Sequence, residues 1–206
     1  MPQSRRYKKK KSAGKAILAW IIVLAILAAG VFVFVSVFYE DAKKKLDEMN
    51  YPRTYSTYVE KAAKYYDLDP ALIYAVIHTE SGFDPKAESG VGAKGVMQMM
   101  PSSFEWLQEQ RGCAGQYTED DLFDPEICID YGSYLLKYFY DYYGTERSAI
   151  AAYNAGFVVS DWLNDTNYSS DGKNLDSIPY PETKNYVDKV ESAKEMYIKL
   201  YYSQSN

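Results

Sequence analysis

The chain has only one histidine, His78, and two cysteines, Cys113 and Cys128, among its 206 residues. No CxxC, HExxH or His/Cys cluster is present, so no metal-ligand set is visible and no cofactor is expected. A His-activated serine or cysteine nucleophile would have to rely on His78, and nothing around that residue suggests the arrangement. His78 lies two residues before Glu80, on a different helix face, and reads as a structural or surface residue. Acidic side chains are absent before Glu40, where seven basic ones stand (Arg5, Arg6, Lys8, Lys9, Lys10, Lys11 and Lys15). Beyond them 16 basic residues face 28 acidic ones, a balance of about −12, which makes the remainder a poor nucleic-acid binder.

Charge is also absent from residues 16–38, AILAWIIVLAILAAGVFVFVSVF. These 23 residues, at about 1.5 Å each as helix, can cross a hydrocarbon core of roughly 30 Å. A cleaved signal peptide has a shorter apolar region, of about 7–15 residues. Ala28-Ala29-Gly30 leaves cleavage open, but apolar sequence continues past it, and no cysteine follows that could carry a lipid. The expectation is a retained single-pass anchor. The basic run before it outweighs Lys43, Lys44 and Lys45 after it, so the N-terminus is expected in the cytoplasm and the bulk of the chain outside. The expected division is a basic tail at 1–15, the anchor at 16–38, a helical stem and linker at 39–53, and a folded domain at 54–206.

Within that domain the helix signals follow one another without a convincing strand. A helix is expected from about Thr57 to Tyr66, burying Val59, Ala62, Ala63 and Tyr66. Asp69 is a good N-cap and Pro70 a good first helical residue, and Ser81-Gly82 stops that helix. Pro101 opens another, with Phe104, Trp106 and Leu107, ending near Gly112. Residues 113–124 read as a polar loop. Asp124-Pro125 starts a long helix to about Tyr143, with Gly144 as its stop. Thr145 caps the next, which ends at Gly156; a short helix carries Val158 and Trp162. Residues 164–177 form a surface loop, and Pro181 opens a last helix to about Tyr202. Outside the cytoplasm Cys113 and Cys128 can form a bridge closing the 113–124 loop, contributing about 3 kcal/mol; the alternative is two free buried thiols.

The chemistry centres on Glu80. Ile73, Val76, Ile77 and Glu80 sit at i, i+3, i+4 and i+7, which places a carboxylic acid on an apolar stripe. Desolvation and the negative end of the helix dipole both disfavour its ionised form and raise its pKa, as a general acid at neutral pH requires. The competing reading is a helix-end residue that faces solvent. Gly90, Gly92 and Gly95 then punctuate a flexible segment leading to Gly95-Val96-Met97-Gln98-Met99-Met100-Pro101, which reads as a site floor.

Four stretches carry a family resemblance: Glu80-Ser81-Gly82, the Gly95–Pro101 segment, Ala151-Ala152-Tyr153-Asn154-Ala155-Gly156, and Ile178-Pro179 followed by Glu182-Thr183 and Tyr186-Val187. In this order and spacing the chain, from about Tyr58 to Val190, resembles the soluble-lytic-transglycosylase type of lytic transglycosylase (glycoside hydrolase family 23). The resemblance implies an all-α, lysozyme-like domain with a cleft, behind a single transmembrane helix. It implies Glu80 as the single catalytic acid/base, with Ser81 orienting it or the sugar. Met97 (through its backbone) and Gln98 would line the cleft, Tyr153 and Asn154 would position N-acetyl groups, and Glu182 and Tyr186 would close the far wall. The implied partner is the peptidoglycan glycan strand.

A glycosidic bond breaks through an oxocarbenium-like state whose leaving oxygen needs a proton, and most glycosidases add a second carboxylate. Asp84 and Glu88 are the nearby candidates; Asp84, before Pro85, reads better as a turn former. Without a second carboxylate the family's route closes a 1,6-anhydro ring on muramic acid. A lysozyme-type hydrolase and a non-catalytic wall-binding protein are the rival readings. The 22 tyrosines suit sugar faces, although most are expected to be packing.

Overall fold

The computed structural model describes residues 13–203. Helix α1 (Ala13–Asn50) forms one unit and Tyr51 begins another, continuing to Asn206. The expected tail at 1–15 falls largely outside the described residues. The large apolar side chains of α1 between Ile17 and Phe38 are exposed. An 18-residue window of this helix reaches a mean hydropathy of 3.0, so it is long and apolar enough to cross a membrane.

Helices are the regular elements of the second unit among its described residues, joined by turns and loops. It comprises α2 (Ser56–Tyr66), α3 (Pro70–Ser81), α4 (Pro101–Gln110), α5 (Pro125–Tyr143), α6 (Glu146–Ala155), α7 (Val159–Asn164) and α8 (Pro181–Tyr197), the last running into one π turn, Ile198–Tyr202. The starts follow the expected chemistry. The Asp69, Asp124 and Thr145 side chains accept from Ala71, Glu126 and Ser148 N–H, and Pro70, Pro101, Pro125 and Pro181 stand in first turns. Extended pairing is limited to isolated bridges, Glu88 to Lys94 and Lys94 to Met99.

Helix α3 is the core of this unit, packed against α8 and α2. Every residue from Ala71 to Ile77 is buried, so the helix is enclosed on all sides and has no single apolar stripe. Lys194 fixes α8 over the helix starts, with Nζ 3.1 Å from Asp69 and 2.7 Å from Glu146.

Three features depart from the sequence expectations. The 113–124 stretch contains a 3₁₀ turn, Glu119–Phe123, because the Asp121 carboxylate accepts the Thr118 N–H at 2.7 Å. Cys113 and Cys128 are not bridged: both are free thiols. Cys113 lies 3.4 Å from the Tyr131 hydroxyl, whereas Cys128 is buried against the backbone of residues 94–97, so each sulfur is held by a different neighbour. The folded unit begins at Tyr51 rather than residue 54. The hydroxyls of Tyr201 and Tyr197 donate to the Tyr51 and Pro52 carbonyls, and the Arg53 guanidinium lies over the rings of Tyr74, Tyr201 and Tyr202.

Candidate active site

Glu80 occupies the last turn of α3, where that helix leaves the core. Gly82 and Phe83 follow in left-handed backbone, φ 59° and 72°, and fold the chain sharply back over the helix end. Ser81 secures this reversal. Its hydroxyl donates to the Val96 carbonyl at 2.8 Å and accepts the Phe83 N–H at 3.1 Å, tying the end of α3 to the segment that covers it.

That segment is a tight turn over Gly95–Gln98, closed by reciprocal Lys94–Met99 backbone hydrogen bonds of 3.0 Å. Gly95 is required twice over: φ is +75°, and a Cβ there would collide with the Leu122 carbonyl oxygen. The turn is bonded from three helices. Ser81 of α3 reaches Val96, the Cys128 sulfur of α5 accepts the Met97 N–H at 3.4 Å, and the Tyr153 hydroxyl of α6 donates to the Met97 carbonyl at 2.9 Å. Gly132 of α5 leaves room for the Met97 side chain. Gln98, itself at φ 47°, donates its amide to the Ala87 and Gly95 carbonyls, both at 3.0 Å. Ser81 and Gln98 therefore shape the floor of the site through the backbone.

Burial of the Glu80 carboxyl pushes its pKa up to about 7, and the nearby Tyr186 hydroxyl pulls the other way. That hydroxyl is buried and completes no hydrogen bond of full geometry, so we read it as an approach to the carboxyl rather than a formed bond. Tyr153 and Tyr186 are both held neutral, well above the usual phenol range, first by burial and then by the Glu80 charge. Asp84 is exposed and accepts the Lys86 N–H at 2.9 Å, as a turn former does; Glu88 is exposed as well. His78 packs between Tyr51 and Tyr197, and burial lowers its pKa.

The fourth motif meets the third where α8 starts beside α6. The buried Thr183 hydroxyl donates to Asn154 Oδ1 at 2.8 Å, and Asn154 itself is exposed. Glu182 is exposed in the first turn of α8. Two contributors carried no sequence signal of their own: Cys128, as acceptor for Met97, and Thr183, as the partner that orients Asn154. Only the position of Thr183 beside Glu182 in the fourth motif could have marked it.

The site is thus one buried carboxyl with its pKa raised to about 7, beside two neutral phenols. The family described as the transglycosylase SLT domain matches residues 57–175, and the chain belongs to it. It is 32% identical over 146 residues to the soluble lytic murein transglycosylase of Escherichia coli K12, covering 69% of this chain but 23% of that protein. It is 30% identical over 167 residues to the membrane-bound lytic murein transglycosylase C of Actinobacillus succinogenes, covering 70% of this chain and 47% of the relative. The fold resembles the crystal structure of the 70 kDa soluble lytic transglycosylase of Escherichia coli, with a TM-score of 0.68 and 27% identity over 76% of this chain and 26% of that one. It also resembles an inactive mutant of the Pseudomonas aeruginosa lytic transglycosylase Slt, with a TM-score of 0.65 and 30% identity over 74% and 25% of the two chains. The chain therefore spans about a quarter of the soluble relatives' length.

Proposed function

We propose that this chain is a membrane-anchored peptidoglycan lytic transglycosylase that cuts between N-acetylmuramic acid and N-acetylglucosamine, with Glu80 as its single acid/base. The observation that carries the reading is the Glu80 carboxyl at the end of the buried helix α3, beside the Tyr153 and Tyr186 phenols, where burial raises its pKa to about 7. Protonated Glu80 gives its proton to the glycosidic oxygen as the bond to C1 breaks, and the neutral phenols of Tyr153 and Tyr186 temper the charge left behind. The N-acetyl group of the muramic acid stabilises C1 in place of a protein carboxylate. The ionised Glu80 then takes the proton of that sugar's C6 hydroxyl, whose oxygen closes the 1,6-anhydro ring at C1. The proton lost in the first step returns in the second, and no water is consumed.

In this reading the Asn154 amide and the Tyr153 ring position N-acetyl groups beside the cleaved bond, and Glu182 with Tyr186 closes the far wall. Ser81, Met97 and Gln98 hold the floor against which the sugar lies. The anchor is α1, with the N-terminus in the cytoplasm and the catalytic domain on the outer side, where the wall is. The excess of basic residues before the apolar run supports that orientation.

Mass spectrometry of products from purified wall tests the reaction. Anhydro ends support it; ends heavier by one water indicate a lysozyme-type hydrolase. Glu80→Gln abolishes cleavage and leaves binding intact. Wall clearance by that variant at the wild-type rate would remove Glu80 from the mechanism, and a wild-type chain that binds wall without cutting it would mark a scaffold.

A further inference from the structure

Between α2, the first half of α5 and the end of α4 lies a cavity of about 890 Å³, within the range of roughly 300–1,000 Å³ usual for small-ligand sites. None of the side chains described around Glu80 lines it. Six of its 13 lining residues are tyrosines: Tyr58, Tyr65, Tyr66, Tyr117, Tyr131 and Tyr134.

Four of the five charged residues of this cavity are already paired with one another. Lys61 lies 2.8 Å from Glu126, and Arg111 lies 2.6 Å from Asp130. The Arg111 guanidinium is also covered, 4.0 Å from the Tyr131 ring centroid and 4.5 Å from that of Tyr134. Tyr66 accepts from Arg111 and donates to Asp130 at 2.7 Å, and the Asp124 carboxylate is taken by the N–H of Glu126. A charged ligand would have to break one of these pairs and leave the other partner uncompensated. The cavity therefore offers mainly ring faces and phenol hydroxyls to whatever enters, with Asp124 its one charge outside an ion pair.

Those rings are propped in place before any ligand arrives. Tyr66 stacks on Tyr134 at 5.8 Å, Tyr65 meets Tyr66 edge-on at 4.9 Å, and Tyr117 meets Tyr131 at 6.0 Å. A preset wall costs little ordering entropy on binding. Tyr65 is 79% exposed, so its ring is open to a ligand from solvent. A flat, neutral molecule with apolar faces and a rim of hydroxyls fits such a wall: a pyranose ring.

We propose that the tyrosine cavity is a second saccharide-binding site, which holds a stretch of amino-sugar glycan apart from the Glu80 centre. The choice of glycan rests on the substrate read for Glu80 above. By keeping hold of the polymer, such a site raises the effective concentration of strand at the acid.

The test uses the full chain in detergent micelles, carrying Glu80→Gln so that no probe is consumed. The probe is the soluble β-1,4-linked tetramer of N-acetylglucosamine, titrated calorimetrically. Two equivalents are expected, falling to one when Tyr58→Ala and Tyr65→Ala are added. Tyr65→Trp keeps both, which separates ring contact from folding damage. Affinity at the second site stays within twofold between low and high salt, as a neutral ligand requires. An unchanged stoichiometry in the double variant, or an affinity that collapses with salt, overturns the proposal. Failure of the Glu80 reading looks different: wild-type chain that makes no anhydro product while both equivalents remain.

Discussion

At Glu80 one proton links stability to activity. Its pKa is about 7 in the folded chain against an ordinary value of 4.5, so the folded state holds that proton more tightly than the unfolded one. The carboxyl therefore costs no stability below about pH 4.5 and progressively more as pH rises to about 7, reaching about 3 kcal/mol. Glu80→Gln removes that cost. Thermal melts should show the variant more stable than wild type above pH 7, with the advantage shrinking to nothing toward pH 4.5. Catalysis runs the other way, because the first step needs the protonated acid, so kcat/KM should fall on the alkaline side with a midpoint near 7. The Tyr186 hydroxyl opposes the rise in the Glu80 pKa, so Tyr186→Phe should move that alkaline limb to higher pH. A limb that stays in place in the pH profile of Tyr186→Phe would show that the phenol does not act on the acid.

The element on which the site depends is the turn at residues 94–99. Val96, Met97 and Met99 bury it in the core, and hydrogen bonds to three helices fix its shape. Gly95 is where that arrangement is least forgiving. Gly95→Ala combines a left-handed alanine with a collision against the Leu122 backbone, and should cost more than about 2 kcal/mol. Denaturant titration checks it. Any fraction that still folds should lose activity in proportion to the displaced floor. A variant as stable as wild type would mean that the 119–123 turn can move aside freely.

For the molecule as a whole, the division after Asn50 sets the unit that carries Glu80 apart from the apolar helix. A chain starting at Tyr51 should cleave soluble glycan at the full-length rate and lose all membrane association. A chain starting at Thr54 should be less stable by about 2–3 kcal/mol. It lacks the carbonyls that receive the Tyr197 and Tyr201 hydroxyls, and the Arg53 guanidinium that three tyrosine rings cover. Thermal melts of the two truncations decide this, and equal stability would place the boundary later in the chain.

The sequence by itself determined what depends on neighbours along the chain. Capping residues, prolines and helix stops set the starts of α3, α4, α5, α6 and α8, and the Asp69-Pro70 start with the Ser81-Gly82 stop placed Glu80 in the last turn of α3. The apolar run, the charge asymmetry around it and the four motifs are likewise local patterns. Tertiary structure alone decided which distant groups meet. It enclosed α3 on every side, gave Cys128 to the Met97 backbone instead of to Cys113, turned the Gln98 amide inward to two carbonyls, and gathered six scattered tyrosines into one cavity. The physical reason is that a cap or a helix stop is satisfied within a few residues, whereas burial and long-range hydrogen bonds are properties of the packed whole.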